Sequence, residues 1–260
     1  MHGGARFHDP VLVDDDVVDA LERLTPLAPL HQTPALRALA SARAALPDVP
    51  HVAVFDTAFH STLSEAASTY PVPPRWREEW GVRRYGFHGI AVQSVVERVD
   101  GRRVVVCHLG GGCSATAVLD GRSVDTTMGL TPLDGLPMAT RSGALDPGIL
   151  LYALRSRGLA PDDVDDVLER ESGLAALGGL DSELGFEVFT RRVGQAIAAM
   201  AVPLGGVDVI AFSGGVGENR DDVRQAVAGL VAFLGARVEV VPAREAVIIA
   251  RAVRQLSPSL

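Results

Sequence analysis

The stretch 104–127, VVVCHLGGGCSATAVLDGRSVDTT, constrains the fold more than any other part of this 260-residue chain. Its apolar pattern predicts three short strands, at 104–108, 115–119 and 123–127, joined by two turns of different kinds. Asp120-Gly121 is a pair that favours a tight two-residue reversal. Gly110-Gly111-Gly112 holds more glycine than a reversal needs. Three adjacent residues without Cβ let backbone N–H groups come close to a large anion. Taken alone, the loop serves equally well as a pliable hairpin turn. His108 before it, Ser114 after it and a second glycine segment far downstream favour the anion-binding reading.

Composition narrows the remaining choices. The chain is long enough for one large domain or two small ones, with a real core in either case. Apolar content of 47% and charged content of 22% are those of an ordinary globular protein. A net charge of −8 argues against nucleic-acid binding through a basic face, although local arginines can still meet anionic ligands. Cys107 and Cys113 read as reduced thiols of a cytosolic protein, and with only His108 nearby they lack the further ligands of a cysteine metal site. No apolar run approaches the ~18–20 residues of a membrane span. The opening MHGGARFHDP lacks the apolar core of a signal peptide, and no internal repeat is found.

Read in order, Asp14-Asp15-Asp16 supplies a cap and an acidic first turn for a helix with Val17, Val18, Leu21 and Leu24 inward. Pro26 and Pro29 end it, which puts His31 in a proline-flanked loop before a second helix over 34–46. A short buried strand, 51–55, runs into Asp56, a carboxylate that either binds ligand at a strand end or caps the following helix. YPVPPRW resembles a domain-crossing or lid segment. In RRYGFHG, Arg83 and Arg84 read as an exposed charge cluster beside the glycine-flanked His88. The long loop 128–147 carries Arg141 and is of the kind that is more often functional than idle.

Helices follow at 148–157 and 161–170. Phe186, Phe189, Val193, Ile197 and Met200 form a core-facing stripe over 186–203. A buried strand, 207–213, runs into Gly214-Gly215-Val216-Gly217-Glu218-Asn219. A helix then starts near Asp221 with Val223, Val227, Leu230 and Leu234 inward. Strand, glycine loop and helix together suggest a nucleotide site, of neither Rossmann nor P-loop spacing. A strand at 237–241 and a helix from Glu245 complete the chain. Two glycine loops, the histidines 31, 88 and 108, a loop arginine and a strand-end aspartate suit phosphoryl transfer, which needs positioning and positive charge. A serine hydrolase would call for a Gly-x-Ser-x-Gly elbow, which is lacking.

The stretches HGGARF, LAPLHQTP, VAVFDTAFHSTL, RRYGFHG, CHLGGGCSA, SVDTTMGLTPLDGLPMATRSGALDP, FSGGVGENRDDVR and VPAREAVIIAR resemble, in order, the acetate kinase family of the sugar kinase–heat shock–actin superfamily. The resemblance implies an α/β, actin-like (ribonuclease H-like) fold with domain I at 1–58 plus 245–260 and domain II at 59–244. It implies transfer of phosphate between ATP and acetate, with propionate or butyrate as variants, a homodimer and a cytoplasmic setting. By the same resemblance, His88, Arg141 and His31 meet the transferring phosphoryl group, and Asp56 and Glu245 position Mg²⁺. His108 with Gly110, Gly111 and Gly112 holds phosphate, and Gly214, Gly215, Val216 and Gly217 with Asn219 hold the adenosine.

Four departures accompany the resemblance. The family carries a segment before HGG with its first strand, an Asn-x-Gly-Ser-Ser-Ser-x-Lys loop and a substrate-binding arginine. The expectation is a start assigned too late or a gene split by a frameshift. Gly111 stands for the family's asparagine, and SELG at 182–185 replaces a nucleotide-contacting Asp-Met-Arg. Ala243-Arg244 replaces Thr-Asn, with an insertion before it missing. These departures support, as the rival reading, an inactive nucleotide-binding or assembly remnant.

Overall fold

The computed structural model describes residues 1–256; the last four residues of the expected domain I lie outside the described residues. In chain order the elements are β1 (Val11–Leu12), α1 (Asp15–Glu22), α2 (Pro29–Ala45), β2 (Val52–Ala53), α3 (Glu65–Ser68), α4 (Pro74–Glu78) and α5 (Gly89–Val96). The hairpin region supplies β3 (Arg103–Leu109), β4 (Cys113–Leu119) and β5 (Arg122–Thr126). Then come α6 (Pro147–Ser156), α7 (Pro161–Asp166), α8 (Glu183–Leu204), β6 (Val209–Ser213), α9 (Gly214–Asn219), α10 (Asp221–Leu230), β7 (Arg237–Val240) and α11 (Glu245–Leu256).

The central sheet has the order β5-β4-β3-β6-β7, with β3, β4 and β5 antiparallel and β6 and β7 parallel to β3. At the β4–β5 turn Asp120 and Gly121 both have positive φ (50° and 78°), as the tight reversal requires. Period-two alternation sorts β3 between two cores. Val105, Cys107 and Leu109 pack with Phe189, Val193 and Ile197 of α8. Val104 and Val106 pack with Val92 and Val95 of α5. Each fully buried side chain of this size is worth roughly 1.5–3 kcal/mol, so the five-strand sheet and α8 form the stable frame. His108 has the parity of Val104 and Val106, and the pleat therefore turns it to the α5 side.

Several expectations change. His31 lies in the first turn of α2, not in a loop, because Pro29 occupies the first helical position and the helix runs on through Pro34. The fully buried Gln32 anchors that turn: its Nε2 donates to the Leu21 carbonyl (3.0 Å) and its Oε1 accepts from the His2 N–H (2.9 Å). The strand expected over 51–55 pairs only at Val52–Ala53, against the unforeseen β1. The helix expected over 161–170 does reach that far, but it is α-helical only to Asp166 and widens to a π-helix over Val167–Glu171. Leu230 is 53% exposed, since α10 buries only Val223 and Val227 deeply and turns Leu230 outward. Arg84 is no part of an exposed cluster: its Nη1 donates to the carbonyls of Thr126, Thr127 and Met128 at 3.0–3.1 Å.

The long loop after β5 is ordered by its neighbours. Tyr70, at the start of the proline-rich segment, donates to Asp134 (3.2 Å) and accepts from the Leu130 N–H (3.3 Å). Residues 138–142 are zipped to 168–174 through the Met138, Thr140 and Leu168 carbonyls. Arg141 is thereby held within electrostatic reach of His31, His88 and Cys113.

Candidate active site

His31, Asp56, His88 and Glu245 line one cavity of about 300 Å³, together with His2 and Pro132. Four separate elements converge on it, which is why no local window of sequence displays it. Asp56 follows β2, His88 precedes α5, His31 opens α2 and Glu245 opens α11.

His88 is held in an unusual conformation. It has φ 60° and ψ 21°, a left-handed backbone that costs a non-glycine residue roughly 1–2 kcal/mol. Its N–H donates to Asp56 Oδ2 (2.7 Å), and the Ile90 N–H donates to Asp56 Oδ1 (3.3 Å). Asp56 is therefore a helix cap as well as a strand-end carboxylate, but the helix it caps is α5, more than thirty residues downstream. Burial opposes its ionisation, yet positive charge at the adjacent His88 ring and at the Met1 ammonium, and then these two N–H donors, draw the carboxyl below its usual range. Glu245 is shifted the other way, upward, by burial and then by the negative charge of Asp56.

The His88 ring lies 4.7 Å, centroid to centroid, from that of His108, and its Nδ1 is 3.0 Å from Ser114 Oγ. Ser114 faces His108 across the β3–β4 ladder, so strand register delivers both groups to one side. Burial, then the neighbouring His108, brings the His88 pKa down to about 3. At neutral pH His88 is accordingly an uncharged hydrogen-bonding group. His108 is also depressed, chiefly by burial. Its Nδ1 and the Oγ of Ser213, the residue opposite it on β6, are both buried without a hydrogen-bond partner. These two orphan atoms belong to register-paired residues at the ends of adjacent strands, and each has unused hydrogen-bonding capacity.

The two glycine segments meet here. A Cβ on Gly110 would lie 3.5 Å from the Gly215 nitrogen, and one on Gly112 would lie 2.9 Å from His88 Nε2. The second segment is not a loop as expected, because α9 starts at Gly214 itself. Gly214 has φ +78°, and a Cβ would stand 2.6 Å from the Leu109 carbonyl, so glycine is required there. Glu218 Oε1 accepts from the N–H groups of Gly214 (2.9 Å) and Ala243 (3.2 Å), and Asn219 Nδ2 donates to the Gly215 carbonyl (2.9 Å). Val216 is partly buried against the main core.

Arg141 reaches the cavity edge, where its Nη1 donates to the carbonyl of the cavity-lining Pro132 (3.1 Å). Its Nε lies 3.4 Å from Glu169 Oε2, with both side chains almost out of water. Burial raises the Glu169 carboxyl, and Arg141 opposes that rise. His31 is depressed by burial and then by the Arg141 charge. Sequence reading missed Glu169, Gln32 and Glu218, all polar residues on helices whose inward direction only tertiary packing sets. The pairing of Ser114 with His108 was discoverable from hairpin register. Among the described residues no three His, Cys, Asp or Glu side chains form a self-sufficient metal cage, and no helix is long and apolar enough to cross a membrane.

Three antiparallel strands followed by two parallel ones, in the order 3-2-1-4-5 counted from β3, with glycine segments at the strand ends, define an α/β fold of the actin-like (ribonuclease H-like) ATPase class. Solved structures agree. The chain is similar to a propionate kinase from Francisella tularensis, with TM-score 0.90 and 32% identity over 97% of this chain and 76% of that one. It is likewise similar to Porphyromonas gingivalis acetate kinase, with TM-score 0.89 and 31% identity over 98% and 76%. The model of the acetokinase family matches residues 1–253, and the chain belongs to that family. An acetate kinase from Synechococcus sp. is 44% identical over 92% of this chain. The chain spans about 65% of the length of that relative.

Proposed function

We propose that the protein transfers the γ-phosphoryl group of ATP to acetate, giving ADP and acetyl phosphate, reversibly. The observation that supports this reading most is the approach of the two glycine segments to each other and to His88, beside the paired residues His108 and Ser213, whose buried Nδ1 and Oγ have no partner. In this reading Gly110, Gly111, Gly112 and His108 receive the ATP phosphates, and Gly214, Gly215, Val216, Gly217 and Asn219 border the adenosine. His88, with Nδ1 engaged by Ser114, offers Nε2–H to the transferring group, while His31 adds a second polar contact. Arg141 presents a planar cationic fork to its equatorial oxygens.

The carboxylate oxygen of acetate attacks the γ-phosphorus in line. The new P–O bond forms as the bond to the ADP oxygen breaks, and the electron pair leaves with ADP. A carboxylate is ionised at neutral pH, so no group in the cavity need act as general base. Asp56 and Glu245 suit Mg²⁺: they are two carboxylates on one wall, and the charge of Asp56 raises the Glu245 carboxyl, a repulsion a divalent cation would relieve. When bound, Mg²⁺ supplies charge neutralisation for the phosphates. Propionate and butyrate are the acceptor variants. A homodimer through residues 59–244, a domain boundary near 58 and a cytoplasmic setting are parts of the same proposal.

The test is a hydroxamate assay for acyl phosphate with Mg-ATP and acetate, propionate or butyrate, beside an Arg141→Ala control. Turnover abolished in the control is the expected result. A folded, ATP-binding chain without turnover overturns the reading in favour of an inactive nucleotide-binding remnant.

A further inference from the structure

The left-handed backbone of His88 needs more than one constraint to persist, and the fold supplies them at a single peptide group. The carbonyl of Phe87 and the N–H of His88 belong to the same rigid plane. The carbonyl accepts from His60 Nε2 (2.9 Å), and the N–H donates to Asp56 Oδ2 (2.7 Å). A rotation of that plane would break both bonds at once. His60 is itself buried and pinned, with Nδ1 2.9 Å from Ser123 Oγ on β5. It packs flush beneath the turn: a Cβ on Gly86, which has φ +74°, would lie 2.6 Å from the ring. Because a carbonyl only accepts, Nε2 carries the proton, Nδ1 is bare, and the Ser123 hydroxyl donates to it.

We propose that His60 is a positioning residue: with Asp56 it grips the Phe87–His88 peptide at both ends and so aims the His88 ring at Ser114, His108 and Gly112. Its effect on turnover rests on the reading of His88 given above, whereas the grip itself does not.

Nitrogen-15 labelling of the histidines in the full chain tests the grip directly. The expected His60 signal is that of a neutral ring protonated at Nε2; a ring protonated at Nδ1 overturns the proposal without any variant. His60→Gln keeps a donor at the reach of Nε2, and His60→Asn retains only the Ser123 side. The His88 amide and ring signals should stay in place in the Gln variant and move in the Asn variant; unmoved signals in His60→Asn overturn the grip. In the hydroxamate assay kcat should fall roughly 10–100-fold in His60→Asn, a misplacement effect, with KM for ATP little changed and the Gln variant restored. Equal kcat in wild type and His60→Asn, in an active protein, overturns the positioning role. A chain without turnover refutes the proposed function instead, and the nitrogen signals still decide the grip.

Discussion

Alanine placed at two neighbouring glycines of one loop separates the site geometry from loop flexibility. A Cβ on Gly112 would stand 2.9 Å from His88 Nε2 and 3.1 Å from Cε1, whereas one on Gly111 meets nothing within 4 Å. Non-bonded heavy atoms prefer about 3.5–4.0 Å, so Gly112→Ala forces an overlap of about 0.5–1 Å. The ring has little freedom to yield, being held by Ser114 at 3.0 Å and backed by His108. Overpacking of this kind costs about 1–3 kcal/mol. Gly111→Ala carries no such penalty, and through the lowered entropy of the unfolded chain it should stabilise by about 0.4–1 kcal/mol. The lowered entropy of the unfolded chain acts on both variants alike, so they should differ by the overpacking alone, about 1–3 kcal/mol in urea unfolding, with displaced His88 ring signals only in Gly112→Ala. Equal stabilities and unmoved His88 signals would refute the reasoning, because they would mean that the loop and ring are not in contact.

Three more outcomes follow from particular contacts. Glu169→Ala removes the partner of a nearly buried Arg141 and should destabilise by about 3 kcal/mol in denaturant unfolding; no loss would show that the Pro132 carbonyl and water suffice. Gly86→Ala must force a Cβ at φ +74° against the His60 ring and Thr126 Cγ2, and should cost roughly 3 kcal/mol or more by the same measurement. His2, 2% exposed, has its pKa lowered to about 4, first by burial, so the unfolded chain binds its proton more readily than the folded one. The stability this contributes is fully present above about pH 6.5 and is lost as pH falls toward 4, about 2 kcal/mol of it by pH 5. His2→Asn, which can still accept from the Gly4 N–H, should flatten that part of the pH–stability curve, and an unchanged curve would count against it.

The hairpin, its Asp120-Gly121 turn, the α8 stripe and the strand before Gly214 are legible in the residues alone, because each depends on neighbours in sequence: alternation, helical spacing, or a residue type a turn demands. It also placed His88, His108 and the glycine segments in one chemical picture, through motif resemblance rather than geometry. How that picture is held depends on contacts between distant parts of the chain. His31 entered a helix because Gln32 is anchored by Leu21 and His2. Arg84 and Leu230 changed surroundings for the same kind of reason, their contacts being set by elements far away in the chain. Asp56 proved to cap α5, and His60 to hold the Phe87 carbonyl, across 27 to 34 residues of intervening chain. Local propensity carries no information about such partners. They exist only once the sheet has turned His108 and Ser114 to the α5 side and closed the burial that makes each unpaired polar group costly.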